Sequence, residues 1–354
     1  MPDSGSRFKA GMPEYLIRHT TFRQMQIFES IVRLRSFTRA AEELFLSQPT
    51  VSTQLKKLTN VMDIPLLDQS GKQLKPTKAG EELYRAIRQI FDSLSDLDSR
   101  IAGLKGMHQG RLHLAVITTA KYFAPEILGD FSRQYPGIDI SLKVCNRERM
   151  FERIANNEDD IYILGQPPKK ELNLQTYPFA PNPLVVLAAR THPLYSESNI
   201  SLERLAQEPL ISREVGSGIR DTTMRLFHEH GLEANVRMEL GSNEAIKHTV
   251  LAGLGVAVLS LHTLSLEGAN GPVGMLDVVG FPIERKWYLA HAKDKELSLI
   301  AKEFLEFAKE SGPVISEKMK KMRDDFAEQH RNMRKPSNEN ASSCIDEIKK
   351  SGNV

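Results

Sequence analysis

The chain has 354 residues, enough for more than one packed core, and a net charge of only +2, which by itself neither demands nor excludes nucleic acid. Two cysteines, Cys145 and Cys344, are too few for a disulfide framework or a cysteine-rich metal centre, and the ten histidines show no HxxxH or HExxH spacing, so no metal and no cofactor are expected. The start has no apolar leader, and no apolar run approaches the roughly 18 residues of a membrane span, so a cytoplasmic protein without a membrane partner is expected.

Residues 1–20 are polar and rich in small side chains, and a flexible N-terminus is expected there. Thr21 then caps a helix whose stripe is Phe22, Met25, Phe28, Ile31 and Val32. Ser36 is the natural cap of a short helix, Phe37 to Leu44, with Phe37, Ala40, Ala41 and Leu44 at helical spacing. Phe45 to Gln48 is the turn. Ser47 caps a second helix with Pro49 near its first position, and Val51, Leu55 and Leu58 form its buried stripe. This is a helix-turn-helix, and its polar and basic side presents Ser36, Thr38, Arg39, Ser47, Gln48, Pro49, Thr50, Ser52, Thr53, Gln54, Lys56 and Lys57 to base edges and phosphates. Two short strands follow, about Leu66 to Asp68 and Gln73 to Lys75, around a Ser70-Gly71 turn, with Lys72 at the tip of the resulting wing. The charge distribution agrees, since residues 1–80 hold 12 Lys and Arg against 7 Asp and Glu, and the rest of the chain is net acidic. The bland alternative is an ordinary helix pair with a solvated hairpin. Residues 21–80 are therefore assigned to a winged helix-turn-helix domain.

A long helix over 81–106 comes next. Its apolar residues, Leu83, Ile87, Ile90, Leu94, Leu97, Ile101 and Leu104, are spaced alternately four and three apart, a heptad seam that implies a coiled-coil partner and hence a dimer. A helix docked on its own chain is the alternative. About 27 residues at roughly 1.5 Å each make a rod of about 40 Å.

From residue 110 short apolar runs alternate with helical segments. Strands are expected at Leu112–Ile117, Ile138–Val144, Ile161–Leu164, Leu184–Ala189, Pro209–Ile211, Val236–Glu239, Val256–Leu259 and Trp287–His291. Helices are expected at Tyr122–Gln134, Arg147–Asn156, Gly218–His230, Asn243–Ala252 and Ser298–Ser311, giving an α/β class with parallel sheets, two subdomains over 110–312 and a cleft between them. Three strand-to-helix junctions carry groups suited to a small anion: Thr118, Thr119 and Lys121; Asn146 and Arg147; and Arg213, Ser217, Gly218 and Arg220, with Arg213 or Arg220 to neutralise charge. Gln166 and Ser260 join them as candidate lining. Ser, Thr and Gly at helix starts also serve simply as caps, so each junction is weak alone and their convergence carries the binding reading. Residues 313–354 are lysine-rich, with Ile315, Met319, Met322 and Phe326 marking a short amphipathic helix before a disordered tail.

With these residues laid out, the chain resembles the LysR-type transcriptional regulators over about residues 20–310, most specifically in SFTRAAEELFLSQPTVS from Ser36. Within them it looks closest to the CbbR regulators of Calvin-cycle CO2-fixation operons. TTAKYFAP from Thr118, NRERM from Asn146, GQPP from Gly165, REVGSGIR from Arg213, GSNEAIKHTVLAGLGVAVLS from Gly241 and GFPIERKWYLAH from Gly280 carry that likeness, in the correct order. The resemblance implies a multi-domain α plus α/β chain: a winged helix-turn-helix, a dimerising linker helix and a periplasmic-binding-protein-like effector domain. It also implies a dimer of dimers on an interrupted dyad in double-stranded promoter DNA, with RNA polymerase an admissible further partner. An anionic metabolite, of the class of ribulose bisphosphate, phosphoenolpyruvate or NADPH, would sit against the residues named above, and no enzymatic activity is implied. Leu67 stands where phenylalanine is usual, and the extension beyond residue 312 has no counterpart from which to carry a role. A regulator of another metabolic operon, a ligand-independent architectural DNA-binding protein, a solute-binding protein and an α/β enzyme are the competing readings. The last two lack, respectively, a leader and a nucleophile with a positioned base.

Overall fold

The structure is a computed structural model that describes residues 12–68, 74–104, 110–167 and 172–334. The first eleven residues, Lys72 with the Ser70-Gly71 turn, and the tail with Cys344 lie outside them. Two compact units divide at Ile101.

In the first unit α1 (Met12–His19) is helical, although residues to about 18 read as frayed. α2 (Phe22–Leu34) opens with a reciprocal cap: Thr21 Oγ1 accepts from Gln24 N at 3.2 Å and Gln24 Oε1 accepts from Thr21 N at 3.0 Å. α3 (Phe37–Glu43) and α4 (Gln48–Met62) follow, capped by Ser36 and Ser47. Ile27, Phe28, Ile31, Ala40, Ala41, Val51, Leu55 and Leu58 close a single core beneath them. β1 (Leu67–Asp68) and β2 (Lys75–Pro76) pair antiparallel as the stem of the wing. Thr77 Oγ1 then donates to Pro65 O at 2.7 Å and accepts from Gly80 N at 3.1 Å, starting α5 (Lys78–Leu104). Gly80 is needed there, because a Cβ would lie 2.0 Å from the Leu66 carbonyl oxygen.

The second unit runs β3 (Gly110–Ile117), α6 (Ala124–Gln134), β4 (Ile138–Cys145), α7 (Arg147–Ala155), β5 (Ile161–Leu164), β6 (Leu174–Pro181) and β7 (Leu184–Ala189). It continues through α8 (Leu202–Gln207), β8 (Leu210–Arg213), α9 (Gly218–Glu229), β9 (Val236–Leu240), α10 (Asn243–Leu251), β10 (Ala257–Ser260), β11 (Val273–Met275) and β12 (Lys286–Ala292). It closes with α11 (Leu299–Glu310) and α12 (Gly312–Arg334). Subdomain I is built on a five-stranded sheet ordered β4-β3-β5-β12-β6, and subdomain II on β10-β7-β11 and β8-β9. The chain passes from I to II just after β6 and returns just before β12.

Purely parallel sheets are not what forms. β3 pairs in parallel with β4 and β5, but β12 runs antiparallel to β5 and β6, and β7 is antiparallel to both of its neighbours. β6 escapes a sequence reading because LQTYPFAP carries Pro178 and Pro181, tolerated here because β6 is an edge strand. β11 and α8 are simply too short to announce themselves. α12 is 23 residues long, well beyond the short helix that its apolar spacing predicts.

Candidate functional site

The polar side of the first unit, where DNA contacts are expected, is built from its caps outward. Ser36 Oγ accepts from Arg39 N and Ser47 Oγ from Thr50 N, which leaves Thr38, Arg39, Gln48, Pro49, Thr50, Ser52, Thr53, Lys56 and Lys57 exposed on α3 and α4. Val51, Leu55 and Leu58 point the other way, into the core, so the polar face cannot rotate inward without unpacking it. Arg39, Lys56 and Lys57 have no ion-pair partner within 4.0 Å among the described residues, which keeps them available for phosphate. Gln54 instead accepts from Gln24 Nε2 at 3.3 Å and ties α4 to α2. On α5, Leu83 and Ile87 pack into the winged-helix core, but Ile90, Leu94, Leu97 and Ile101 stand 37, 45, 53 and 43 % exposed along one seam. Leu104 ends the same helix.

The second unit contains a cavity of about 50 Å³ between its subdomains. Of the residues anticipated for it, Thr118, Thr119, Asn146, Arg147, Gln166, Arg213, Ser217 and Gly218 line it. They sit at the carboxyl ends of β3, β4, β5 and β8 and at the first turns of α7 and α9, where Asn146 Oδ1 accepts from Arg149 N and Ser217 Oγ from Ile219 N. Three others lie off the wall. Lys121 is drawn 3.3 Å from Glu244, Arg220 is bound to Glu239 at 2.7 Å, and Ser260 is fully buried, donating to Asn182 Oδ1 at 2.8 Å. Arg213 touches the cavity already neutralised: its Nε and Nη2 donate to Glu214 at 2.7 and 2.8 Å, and its Nη1 to Asn243 at 2.7 Å.

The cation left over is Arg285. It is half-buried at the cavity, its Nη1 donating to Gly218 O at 3.1 Å and its Nη2 to Gly165 O, yet no carboxylate lies within ion-pairing distance among the described residues. Burial, with Arg147 and Arg225 nearby, pushes its pKa down to about 10, still well above neutrality, so the guanidinium is charged and uncompensated. A half-buried cation whose only partners are neutral carbonyls is suited to receive an anion. Trp287 and Asn182 line the same wall. None of these three was anticipated. The cavity is also a junction between subdomains: Gln166 Nε2 donates to Gly218 O at 2.7 Å and Arg147 pairs with Asp221 at 2.9 Å. A Cβ on Gly218 would come within 2.7 Å of the Gln166 amide, so a larger residue there would push this bridging side chain aside. No group of three His, Cys, Asp or Glu suited to a metal occurs among the described residues, and burial pushes the Cys145 thiol up to about 11, away from a reactive thiolate.

An exposed recognition helix with unpaired basic residues, on a chain that also carries a two-subdomain cleft closing on a lone cation, defines a DNA-binding regulator with a ligand domain. Comparison with known proteins gives the family. Residues 22–81 match the bacterial regulatory helix-turn-helix protein, lysR family, and residues 105–313 the LysR substrate binding domain. The chain belongs to the LysR family of transcriptional regulators. It is 50% identical over 291 residues to the HTH-type transcriptional activator CmpR of Synechocystis sp., covering 82% of this chain and 95% of that protein. It is 46% identical over 291 residues to the RuBisCO operon transcriptional regulator of Acidithiobacillus ferrooxidans, covering 82% and 94%. The regulatory domain of CcmR from Synechocystis PCC6803, solved in complex with 2-PG, superposes with a TM-score of 0.56 at 51% identity, over 58% of this chain and 98% of that one. Full-length CbnR with its target DNA shares the fold, with a TM-score of 0.61 at 19% identity over 82% of this chain and 100% of that one.

Proposed function

We propose that this protein activates CO2-fixation genes in response to a small anionic metabolite held at Arg285 between the effector subdomains. The uncompensated Arg285 guanidinium is the observation that carries the metabolite half of this reading. Asn146, Ser217, Thr118 and Gln166 supply neutral donors around it, and the helix N-termini of α7 and α9 add positive potential. One half-buried cation ringed by short neutral donors at two helix N-termini suits a compact phosphorylated acid better than an extended dinucleotide such as NADPH. The relatives named for the RuBisCO operon and the related CcmR domain solved with 2-PG support the same target and chemical class. The open seam on α5 supports dimerisation and, by pairing two recognition helices, an interrupted dyad as the site; assembly into a dimer of dimers and contact with RNA polymerase belong to the same reading.

The test is ligand-dependent heat stability. Phosphoenolpyruvate, ribulose bisphosphate, 2-PG and NADPH are each titrated against the unfolding midpoint of the intact chain. A compact phosphorylated acid at about a hundredfold its Kd should add about 2.7 kcal/mol, several degrees in midpoint, and Arg285→Gln should abolish the rise while leaving operator affinity unchanged. No shift with any of the four, or an undiminished shift in the variant, overturns the assignment. Turnover of any of them would argue instead for an enzyme.

A further inference from the structure

α12 begins where the match to the LysR substrate binding domain ends, at residue 313, so its role has to be found in its contacts. Its first half is seated on subdomain I. Gly312 fits under the Phe179 carbonyl, where a Cβ would lie 2.0 Å from the oxygen, and Lys318 pairs with Glu126 of α6, while Ile315 and Met319 are buried in a core that residues of both subdomains share. Its second half is seated on subdomain II. Gln329 accepts from Arg190 at 3.0 Å and donates to Asn270 at 2.7 Å, His330 Nε2 meets the Met275 carbonyl, and the His330 ring packs 5.1 Å from that of Tyr195. Between the two footings Phe326 is fully buried, and Arg323 pairs at 2.8 Å with Glu284, in the return segment next to Arg285. The covalent links between the subdomains are two short crossings, near Asn182 and near Arg285, which is the connectivity of a hinge.

We propose that α12 is a strap fixing the relative orientation of the two effector subdomains, so that a ligand reorienting them must shift α12 from one of its footings. The strap itself is independent of the ligand assignment; its effect on ligand response rests on that assignment. A 23-residue helix is long enough, at about 34 Å, to span both halves, and its contacts on each side combine buried apolar area with charged or polar anchors. Releasing the subdomain II footing should leave each half folded and loosen an orientation that Gln166–Gly218, Arg147–Asp221 and the shared core then hold without α12.

The experiment uses the full-length protein with Cys145 and Cys344 replaced by serine and spin labels on cysteines introduced at two exposed positions, Glu148 in subdomain I and His228 in subdomain II. Distances are measured in this parent, in a chain truncated after Lys321, and in the triple variant Arg323→Ala, Gln329→Ala, His330→Ala, which keeps Phe326 in the core should the truncation not fold. The expected result is a single narrow distance peak in the parent and a broadened or displaced one in the released forms. In unlabelled protein the half-saturating concentration of the stabilising phosphorylated acid should fall about fivefold or more, the low end of typical inter-site coupling. Distances unchanged in the folded variants overturn the strap, and a half-saturating concentration that rises overturns its resisting role. Broadened distances with no ligand response in any form support the strap and overturn the ligand assignment instead.

Discussion

Thr50 and Thr53 stand on the exposed face of α4 one turn apart, while Lys56 and Lys57 continue the same face without carboxylate partners among the described residues. Short hydroxyls read base edges and thymine methyls, whereas lysines meet phosphates whatever the sequence. Replacing Thr50 and Thr53 with Ala should therefore weaken binding to the native promoter by about 1–3 kcal/mol for each base edge no longer read, yet leave binding to unrelated DNA and its salt dependence intact. Equal weakening on both DNAs, measured at one salt concentration, would assign the two threonines to the backbone. Because this polar face and its caps are local in sequence, they are legible from spacing alone. The cleft is legible only in part, for a topological reason. Thr118, Asn146, Arg213 and Ser217 end or follow parallel strands and read as strand-to-helix junctions, and Gln166 follows β5. Arg285 and Trp287 open β12, whose antiparallel course brings its amino end to the carboxyl end of β5, and Asn182 follows the proline-bearing β6. Parallel sheets alone give no reason to look at the start of a strand for ligand groups. Nor does residue order reveal that Arg213 is already neutralised by the adjacent Glu214.

α5 belongs to two structures at once. Its first turns complete the winged-helix core through Tyr84 and Ile87, and Arg88 reaches to 3.6 Å from Glu29, which also binds Arg33 of α2. Past Ile87 the same heptad register has no covering surface in its own unit among the described residues. Four large aliphatic residues in one line exceed the scattered exposure expected of a surface helix, and a second copy offers a complementary seam. Leu94→Glu with Leu97→Glu would place two carboxylates at that seam. Sedimentation velocity at micromolar concentration should then show the mass of a smaller species than the parent, and affinity for a full dyad should fall much further than affinity for an isolated half-site. A variant that sediments like the parent would locate the dimer contact elsewhere. The seam is visible in sequence because a 3.5-residue period survives any later packing; which part of it stays uncovered is not, since that depends on where the core of the first unit ends.

At the scale of the whole molecule, acid should loosen the ligand domain before it affects the charges on its surface. His262 follows β10 and is packed between the rings of Phe123 and Trp287, with its Nε2–H donating to Pro181 O at 2.9 Å beside the crossing into subdomain II. Burial pushes its pKa down to about 4, so the folded protein keeps this ring neutral where the unfolded chain, near 6.5, binds a proton. The sign follows from proton counting: above pH 6.5 neither state is protonated and His262 contributes no slope, whereas between 6.5 and 4 only the unfolded state gains the proton and stability falls with falling pH. At about 1.4 kcal/mol per pH unit the loss from pH 6.5 to 5 is about 2 kcal/mol. His291, also held down by its burial, adds a smaller loss of the same sign. Denaturant unfolding of the intact chain should thus give nearly constant stability from pH 7 to 8 and a decline below 6.5, a decline that His262→Gln, which keeps a donor for Pro181, should largely flatten. An identical slope in both proteins would place the acid sensitivity outside the crossing.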